Sequence, residues 1–425
     1  MGPANAPATP QPYGAAPAYP AYAYPYAQAP TPHYPGNAPP AYSYPYYGYY
    51  MPGYVYAQPP RRAPGETYRT VLAWIVTIGG GLTILGGLLL LGLTALSGAR
   101  GTIEGLAALG QLVGLIVAAI AGGAAGLYFG ITALMRRPSV RFGLPSVWIF
   151  LGLAAVAIGG EVALWNLFPT PGALVAILPL FVLAGALPAG AILAYTARRL
   201  NYPSTWRHVA LSLAFGATVA PVLASILEVL AFLLVVLLLR AFGLQIQFDL
   251  NFLQNVNPTG PNEILMFFLV GSVIAPLVEE GLKPLGAVLL LPRVRGPGEA
   301  FLIGLAAGQG FAVVETLGYF GMGQADWINI AIERLGVGLL HGVGAGMAAM
   351  GWYYLIRGKG VSRRWLLGFG ALAYAVVQHG VFNASNLLGA IPPIGQWLNS
   401  PTPLITLGTL PIDRSALVAL SLYLL

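Results

Sequence analysis

Long apolar runs recur nine times between residues 70 and 389. A helix needs ~20 predominantly apolar residues to cross ~30 Å of hydrocarbon, and every run reaches that length. The pattern predicts an all-α, polytopic transmembrane helical bundle with spans at 70–96, 105–135, 144–167, 172–197, 209–239, 264–291, 300–320, 334–356 and 365–389. Residues 415–425 resemble the start of a tenth span, but this segment is too short to cross and predicts only a partial one.

The composition agrees with a membrane protein and excludes several classes of function. Of the 425 residues, 57% are hydrophobic and 8% are charged, and the mean hydropathy is +0.73. The chain has no cysteine, which excludes disulfide scaffolds, thiolate zinc sites and a cysteine nucleophile. The net charge of +7 is explained by arginines between the spans. We therefore expect the lipid bilayer, and no nucleic acid, as a partner.

The first 60 residues differ from the rest of the chain because they contain no Asp, Glu, Lys or Arg. Fourteen of the 23 tyrosines lie between Tyr13 and Tyr56, interspersed with proline and alanine. Frequent prolines prevent both helices and strand ladders, so this composition predicts a disordered tail. The tail is interpreted either as a spacer or as an adhesive arm that recruits partners.

The distribution of Lys and Arg predicts the orientation. With the N-terminus in the cytoplasm, the inside segments hold 15 of these residues and the outside segments hold 4, while Lys283 lies within a span. Positive residues are enriched in cytoplasmic loops. We therefore expect a multi-pass protein of the cell membrane with its N-terminus in the cytoplasm.

Ionisable residues within spans are costly and are treated as functional candidates. The last four predicted spans contain Glu279, Glu280, Lys283, Glu315, His341, His379 and the neighbouring Asn383. Glu280, Glu315, His341 and His379 each lie 13 to 16 residues from the nearest cytoplasmic charged residue, which is roughly 20–24 Å along a helix. Antiparallel spans thus place these side chains in one layer, which predicts a single polar site inside the bundle.

The residue types in this layer suit the activation of water. Glu279 and Lys283 are four residues apart and can pair, while Glu280 is rotated by about 100° and can face a cavity. A carboxylate can take a proton from water that attacks a peptide carbonyl. His379 and Asn383 share a helix face and can donate to the developing oxyanion. A divalent metal such as zinc, held by Glu280, Glu315, His341 and His379, is an alternative that the residue types allow.

The motifs resemble those of the PrsW family of intramembrane proteases, in the superfamily of type II CAAX prenyl endopeptidases. They are Glu279-Glu280-xx-Lys283, Phe311-xxx-Glu315, His341 and His379-xxx-Asn383, in this order on consecutive spans. The EExxK and FxxxE forms favour PrsW over the CAAX branch, where Arg and His are more usual.

The resemblance implies roles for each matching residue. One glutamate of the Glu279/Glu280 pair, together with Glu315, would activate water, and Lys283 would hold the other glutamate. His379 and Asn383 would form the oxyanion pocket, and His341 would serve as a proton shuttle, a substrate contact or a metal ligand. The substrate would be a membrane-anchored protein, by family analogy an anti-sigma factor.

Other interpretations remain open at this stage. Buried glutamate and histidine also relay protons in proton-coupled transporters, although the first five spans show no second copy of the motifs, as internal repeats would require. A non-catalytic membrane scaffold of the same superfamily is a third class. Arg334 lies seven residues before His341 and would either orient substrate or extend to the membrane surface.

These observations divide the chain into four parts. Residues 1–68 form the predicted disordered cytoplasmic tail, and residues 69–240 a membrane bundle of five spans. Residues 264–389 form the predicted protease core of four spans, and residues 390–425 a C-terminal segment.

Overall fold

The computed structural model describes residues 66–96, 103–168, 171–243, 261–320 and 327–424. The predicted disordered tail lies outside the described residues, apart from its last three. Within the described residues nine helical segments are long and apolar enough to cross a membrane, which confirms the predicted fold class.

The first five spans are uninterrupted helices. They are α1 (Glu66–Leu96), α2 (Ile103–Leu134), α3 (Val147–Leu167), α4 (Pro171–Leu200) and α5 (Trp206–Ala241). Large apolar side chains on α1, α3 and α5 are exposed, as expected of helices that face lipid. Helix α1 packs against α2, and α3 packs against α4.

The remaining four spans comprise several helical pieces. Their elements are α6 (Pro261–Phe267), a π-helical segment (Phe268–Ile274), α7 (Ala275–Leu282), α8 (Leu285–Val288), a short 3₁₀ turn (Leu291–Arg293), α9 (Pro297–Phe320), α10 (Trp327–Arg334), α11 (Val337–Arg357) and α12 (Arg364–Ser385), which a 3₁₀ turn (Asn386–Ala390) extends.

Two of these spans are broken where the sequence pattern predicts continuous helices. The sixth changes from α to π and back before Pro276, and ends its α7 section just before Pro284. Proline lacks a backbone N–H and removes a helical hydrogen bond, which favours a break at these positions, whereas α4 and α5 accommodate internal prolines within continuous helices. The eighth is interrupted between α10 and α11, at Leu335 and Gly336.

Helices α9 and α11 form the centre of the bundle. Their close approach depends on glycine, because a Cβ atom at Gly308 would collide with the backbone of His341. A Cβ atom at Gly304 would lie 2.5 Å from the carbonyl oxygen of Ala345. Small residues permit this kind of contact between membrane helices, so the backbone of α11 is held directly against α9 where His341 occurs.

The C-terminal segment packs against α10 and α11. It contains α13 (Pro392–Leu398), the antiparallel hairpin of β1 (Ile405–Leu407) and β2 (Leu410–Ile412), and α14 (Arg414–Leu424). The eleven residues of α14 form a helix too short to span. The ring of Tyr423 stacks on Phe382 of α12, with centroids 4.3 Å apart.

Candidate active site

Helix α7 supplies the centre of the site through Lys283, the residue that immediately follows it. The Nζ of Lys283 donates hydrogen bonds to Oε2 of Glu279 at 2.6 Å and to Oε1 of Glu280 at 2.7 Å. Residues three and four positions apart are neighbours on a helix surface, so one lysine can reach both carboxylates. The sequence predicted that Lys283 would hold one glutamate, whereas in the structure it holds both.

His341 links this centre to α9. Its Nδ1 lies 2.6 Å from Nζ of Lys283, and its Nε2 lies 2.6 Å from Oε2 of Glu315. An ammonium has only donors to offer, so Nδ1 is the acceptor and the ring proton resides on Nε2, facing Glu315. The structure thus joins Lys283, His341 and Glu315 in one chain of polar contacts.

Phe311 explains the first position of the FxxxE motif. It lies four residues before Glu315, and both side chains occupy the same face of α9. The ring of Phe311 lies 4.3 Å from Nζ of Lys283 and 5.3 Å from the ring of His341. Phe311 therefore covers the polar centre with the face of its ring. The face of an aromatic ring attracts a cation such as the Lys283 ammonium.

His379 joins the cluster from α12, while Asn383 has another partner. The Nδ1 of His379 lies 3.0 Å from Oε1 of Glu280, and its side chain is almost fully buried. Asn383 instead donates through Nδ2 to the carbonyl oxygen of Gly271, at 2.7 Å. The pair was predicted to form one oxyanion pocket; in the structure Asn383 ties α12 to the π-helical segment of the sixth span.

Arg334, at the end of α10, is a buried partner of Glu315. Its guanidinium lies 2.7 Å from Oε2 of Glu315 and 4.5 Å from the centroid of the Tyr319 ring. The side chain is 7% exposed. The interpretation of Arg334 as a residue extending to the membrane surface is therefore wrong, because both its charge and its stem are enclosed by protein.

Glu228 is a site residue that the motifs did not predict. It lies on α5, and its carboxyl group lies near that of Glu279. Its neighbours Leu227 and Val229 are exposed on the outer surface of the bundle. The signal in the sequence was a charged residue deep in an apolar run, the same signal that marks the motif residues, but Glu228 has no motif around it.

The three motif carboxylates differ in their access to solvent. The side chain of Glu315 is 25% exposed, that of Glu279 is 11% exposed and that of Glu280 is not exposed. The remaining oxygen of Glu280, Oε2, faces Gly344, where a Cβ atom would lie 2.7 Å away. Glu315 is therefore the least enclosed of the three carboxylates, whereas Glu280 is fixed within the protein.

The cluster also has the donor set of a metal site. Among the described residues, Glu279, Glu280, His341 and His379 each offer one ligand atom, and these atoms lie within 4.8 Å of one another. Glu279 completes this set in place of Glu315, which the sequence had suggested. Glu315 lies beyond the far nitrogen of the His341 ring.

The fold and the cluster define a multi-pass membrane protein with a buried carboxylate, imidazole and ammonium site. Residues 204–405 match the family described as PrsW family intramembrane metalloprotease. The match confirms the resemblance over just under half of the chain and supports an intramembrane protease. It also starts before α5, so it extends beyond residues 264–389 and takes in Glu228. Neither the search of curated proteins nor that of solved structures found a match.

The family description implies a metal, and the donor types suit one, but the arrangement does not. The ammonium of Lys283 lies between Glu279, Glu280 and His341, at 2.6 to 2.7 Å from one atom of each. A zinc ion would need the same lone pairs at ~2.0–2.2 Å. The residues as folded thus hold a lysine where the metal would bind.

Proposed function

We propose that the protein is an intramembrane endopeptidase in which Glu315 activates the attacking water. The observation that carries this proposal is the graded exposure of the carboxylates, with Glu315 the most exposed at 25%. His341 and Arg334 both contact its Oε2, at 2.6 and 2.7 Å, and so orient the carboxylate. A general base must reach the proton that it removes, and Glu315 is the motif carboxylate that water reaches most readily.

Hydrolysis then follows from the positions of the side chains. Glu315 takes a proton from water as the water oxygen bonds to the carbonyl carbon of the substrate. The carbonyl oxygen becomes an oxyanion, and the C–N bond breaks as Glu315 returns the proton to the leaving nitrogen. Every atom of the products comes from water or from the substrate, and Glu315 is again a carboxylate at the end of the reaction.

His379 is the residue best placed to stabilise the oxyanion. Its Nδ1 is committed to Glu280, which leaves Nε2 to face a substrate. Because Nδ1 donates to Glu280, Nε2 can donate to an oxyanion only when the ring carries a proton on both nitrogens. A donor held in place before the reaction costs no reorganisation when the oxyanion forms. Asn383 supports this pocket by holding the neighbouring π-helical segment.

The substrate proposed is a membrane-anchored protein cut near the outer end of its transmembrane helix, for example an anti-sigma factor. The basis is the excess of Lys and Arg on the predicted cytoplasmic side, 15 against 4. In this orientation Glu315 lies toward the outer end of α9, and Arg334 lies at the inner end of the short α10, within the outer part of the eighth span. The protein would reside in the cell membrane with a cytoplasmic N-terminus.

The test is cleavage of a membrane-anchored reporter by the purified full chain in lipid vesicles. Glu315→Gln, Glu280→Gln and His379→Ala should each lower the rate by at least ~10²-fold, since each removes a base, its anchor or an oxyanion donor. Glu66→Gln, which alters an ion pair on α1, is the matched control and should retain the rate. Mass spectrometry of the products should place the cut at the outer end of the reporter helix.

Two results would contradict the proposal. Full activity in any two of the three site variants, at equal expression, would show that the assigned residues do not form the catalytic site. A cut at the cytoplasmic end of the reporter helix would show that cleavage occurs on the opposite side of the membrane from the one proposed. Orientation can be checked separately, because the chain has no native cysteine: a cysteine at Leu387 should react with an impermeant thiol reagent in intact cells, and one at Ser362 should not.

A further inference from the structure

The ammonium of Lys283 uses all its hydrogen-bonding capacity inside the cluster. A primary ammonium has three N–H donors, and the acceptors are Oε2 of Glu279, Oε1 of Glu280 and Nδ1 of His341. The side chain is fully buried. The ring of Phe311, 4.3 Å from Nζ, closes a further side. Each of the three donors of the ammonium therefore has a partner.

The three residues that hold Lys283 belong to the set of four that could bind a metal ion. Of the atoms around the ammonium, Oε2 of Glu279 lies 3.9 Å from Nδ1 of both His341 and His379, and Nδ1 of His379 lies 3.0 Å from the Glu280 oxygen that Lys283 already occupies. A divalent ion would thus compete with Nζ for the same lone pairs at the same point. A cation cannot enter beside the ammonium without bringing two positive charges within a few ångströms of each other.

We propose that Lys283 is the resident cation of this cluster and excludes divalent metal ions from it. The lysine supplies the positive charge that two adjacent buried carboxylates require, and it is part of the chain. The inference deepens the proposed function by making the protease independent of metal. The test of this inference measures metal content and not cleavage. The inference can therefore fail while the protein still cleaves its substrate, and it can hold while cleavage is absent.

The chain offers a matched pair of variants, because Lys283 and the exposed Lys359 are its only lysines. The full chain, Lys283→Ala and Lys359→Ala are purified in detergent, equilibrated with zinc and freed of unbound ion. Zinc per protein is then measured by inductively coupled plasma mass spectrometry. Circular dichroism establishes that each variant is helical. Adding Glu280→Gln to each protein identifies the zinc that is held by the cluster.

The wild type and Lys359→Ala should hold no zinc that Glu280→Gln removes. Lys283→Ala should gain cluster-bound zinc, with an affinity that falls at least ~10-fold when Glu280→Gln is added. The proposal is overturned if the wild type carries about one zinc that Glu280→Gln removes, or if a helical Lys283→Ala binds none. Should Lys283→Ala fail to fold, the wild-type measurement decides alone: cluster-bound zinc refutes the proposal, and its absence after equilibration supports it.

Discussion

Helices α9 and α1 are both long enough to cross a membrane, yet they have opposite surroundings. Over its most apolar stretch 78% of the residues of α9 are buried, against 17% for α1. Helix α9 carries Glu315 and the buried Gln309 within the membrane, whereas many large apolar side chains of α1 are exposed. The polar side chains thus lie on the helix that is surrounded by protein and not on the helix that faces lipid, because charged groups in contact with lipid are costly.

A similar contrast appears between one glycine of α9 and one glycine of α1. A Cβ atom at Gly308 of α9 would meet the backbone of α11, while one at Gly86 of α1 would meet nothing within 4 Å. Glycine on α9 thus permits a close contact between helices, and glycine at this position of α1 does not. Substitution at these two positions should therefore have different effects.

The largest difference is expected between two arginine pairs. Arg334→Ala leaves Glu315 without its buried cation, and breaking a buried pair costs ~3–5 kcal/mol. Arg136→Ala breaks the pair with Glu66, in which the arginine side chain is 67% exposed, and exposed pairs contribute ~0–1 kcal/mol. The free energy of unfolding of both variants, measured in mixed micelles, checks this. Equal losses of unfolding free energy in the two variants would show that the pair of Arg334 and Glu315 contributes no more than an exposed pair.

A smaller difference is expected between the two glycines. Gly308→Ala forces α9 and α11 apart, and overpacking typically costs ~1–3 kcal/mol. It should also slow cleavage, because His341 lies at the contact. Gly86→Ala is the control and should change neither stability nor cleavage. An active, fully stable Gly308→Ala protein would contradict the close approach of the two helices.

The smallest effect is expected at Tyr423 of α14. Burial raises the pKa of its hydroxyl group, so the group stays neutral, and the hydroxyl has no hydrogen-bond partner among the described residues. Tyr423→Phe keeps the ring stacked on Phe382 and should change the free energy of unfolding by less than ~0.5 kcal/mol. Tyr423→Ala loses the ring and should cost more. A clear loss in Tyr423→Phe would reveal a bond to the hydroxyl.

Much of the fold was predictable because a membrane span is a local feature of the sequence. The same reasoning identified Glu279 as a candidate and placed Glu280, Glu315, His341 and His379 in one layer, since a charged residue stands out in an apolar run. The partner of Asn383 was not predictable, because it depends on a carbonyl that is 112 positions away in the chain. The pairing of Arg334 required knowing that the eighth span is broken.

Glu228 shows a different limit. The sequence marked it as unusual but could not assign it a neighbour, because α5 and α7 are brought together only by folding. The double contact of Lys283 was likewise open, since helical spacing allows it to reach either carboxylate. Local periodicity gives the face on which a residue lies, whereas the contacts across helices depend on how the faces are paired.

The π-helical segment at Phe268–Ile274 has a consequence for the phase of the sixth span. Each residue added to or removed from a helix rotates everything beyond it by about 100°. The wide turn therefore sets the direction in which Glu279, Glu280 and Lys283 point, independently of how deep they lie in the membrane. Asn383 donates a hydrogen bond to the carbonyl of Gly271 within that turn, so α12 is joined directly to the turn that sets the direction of these three side chains.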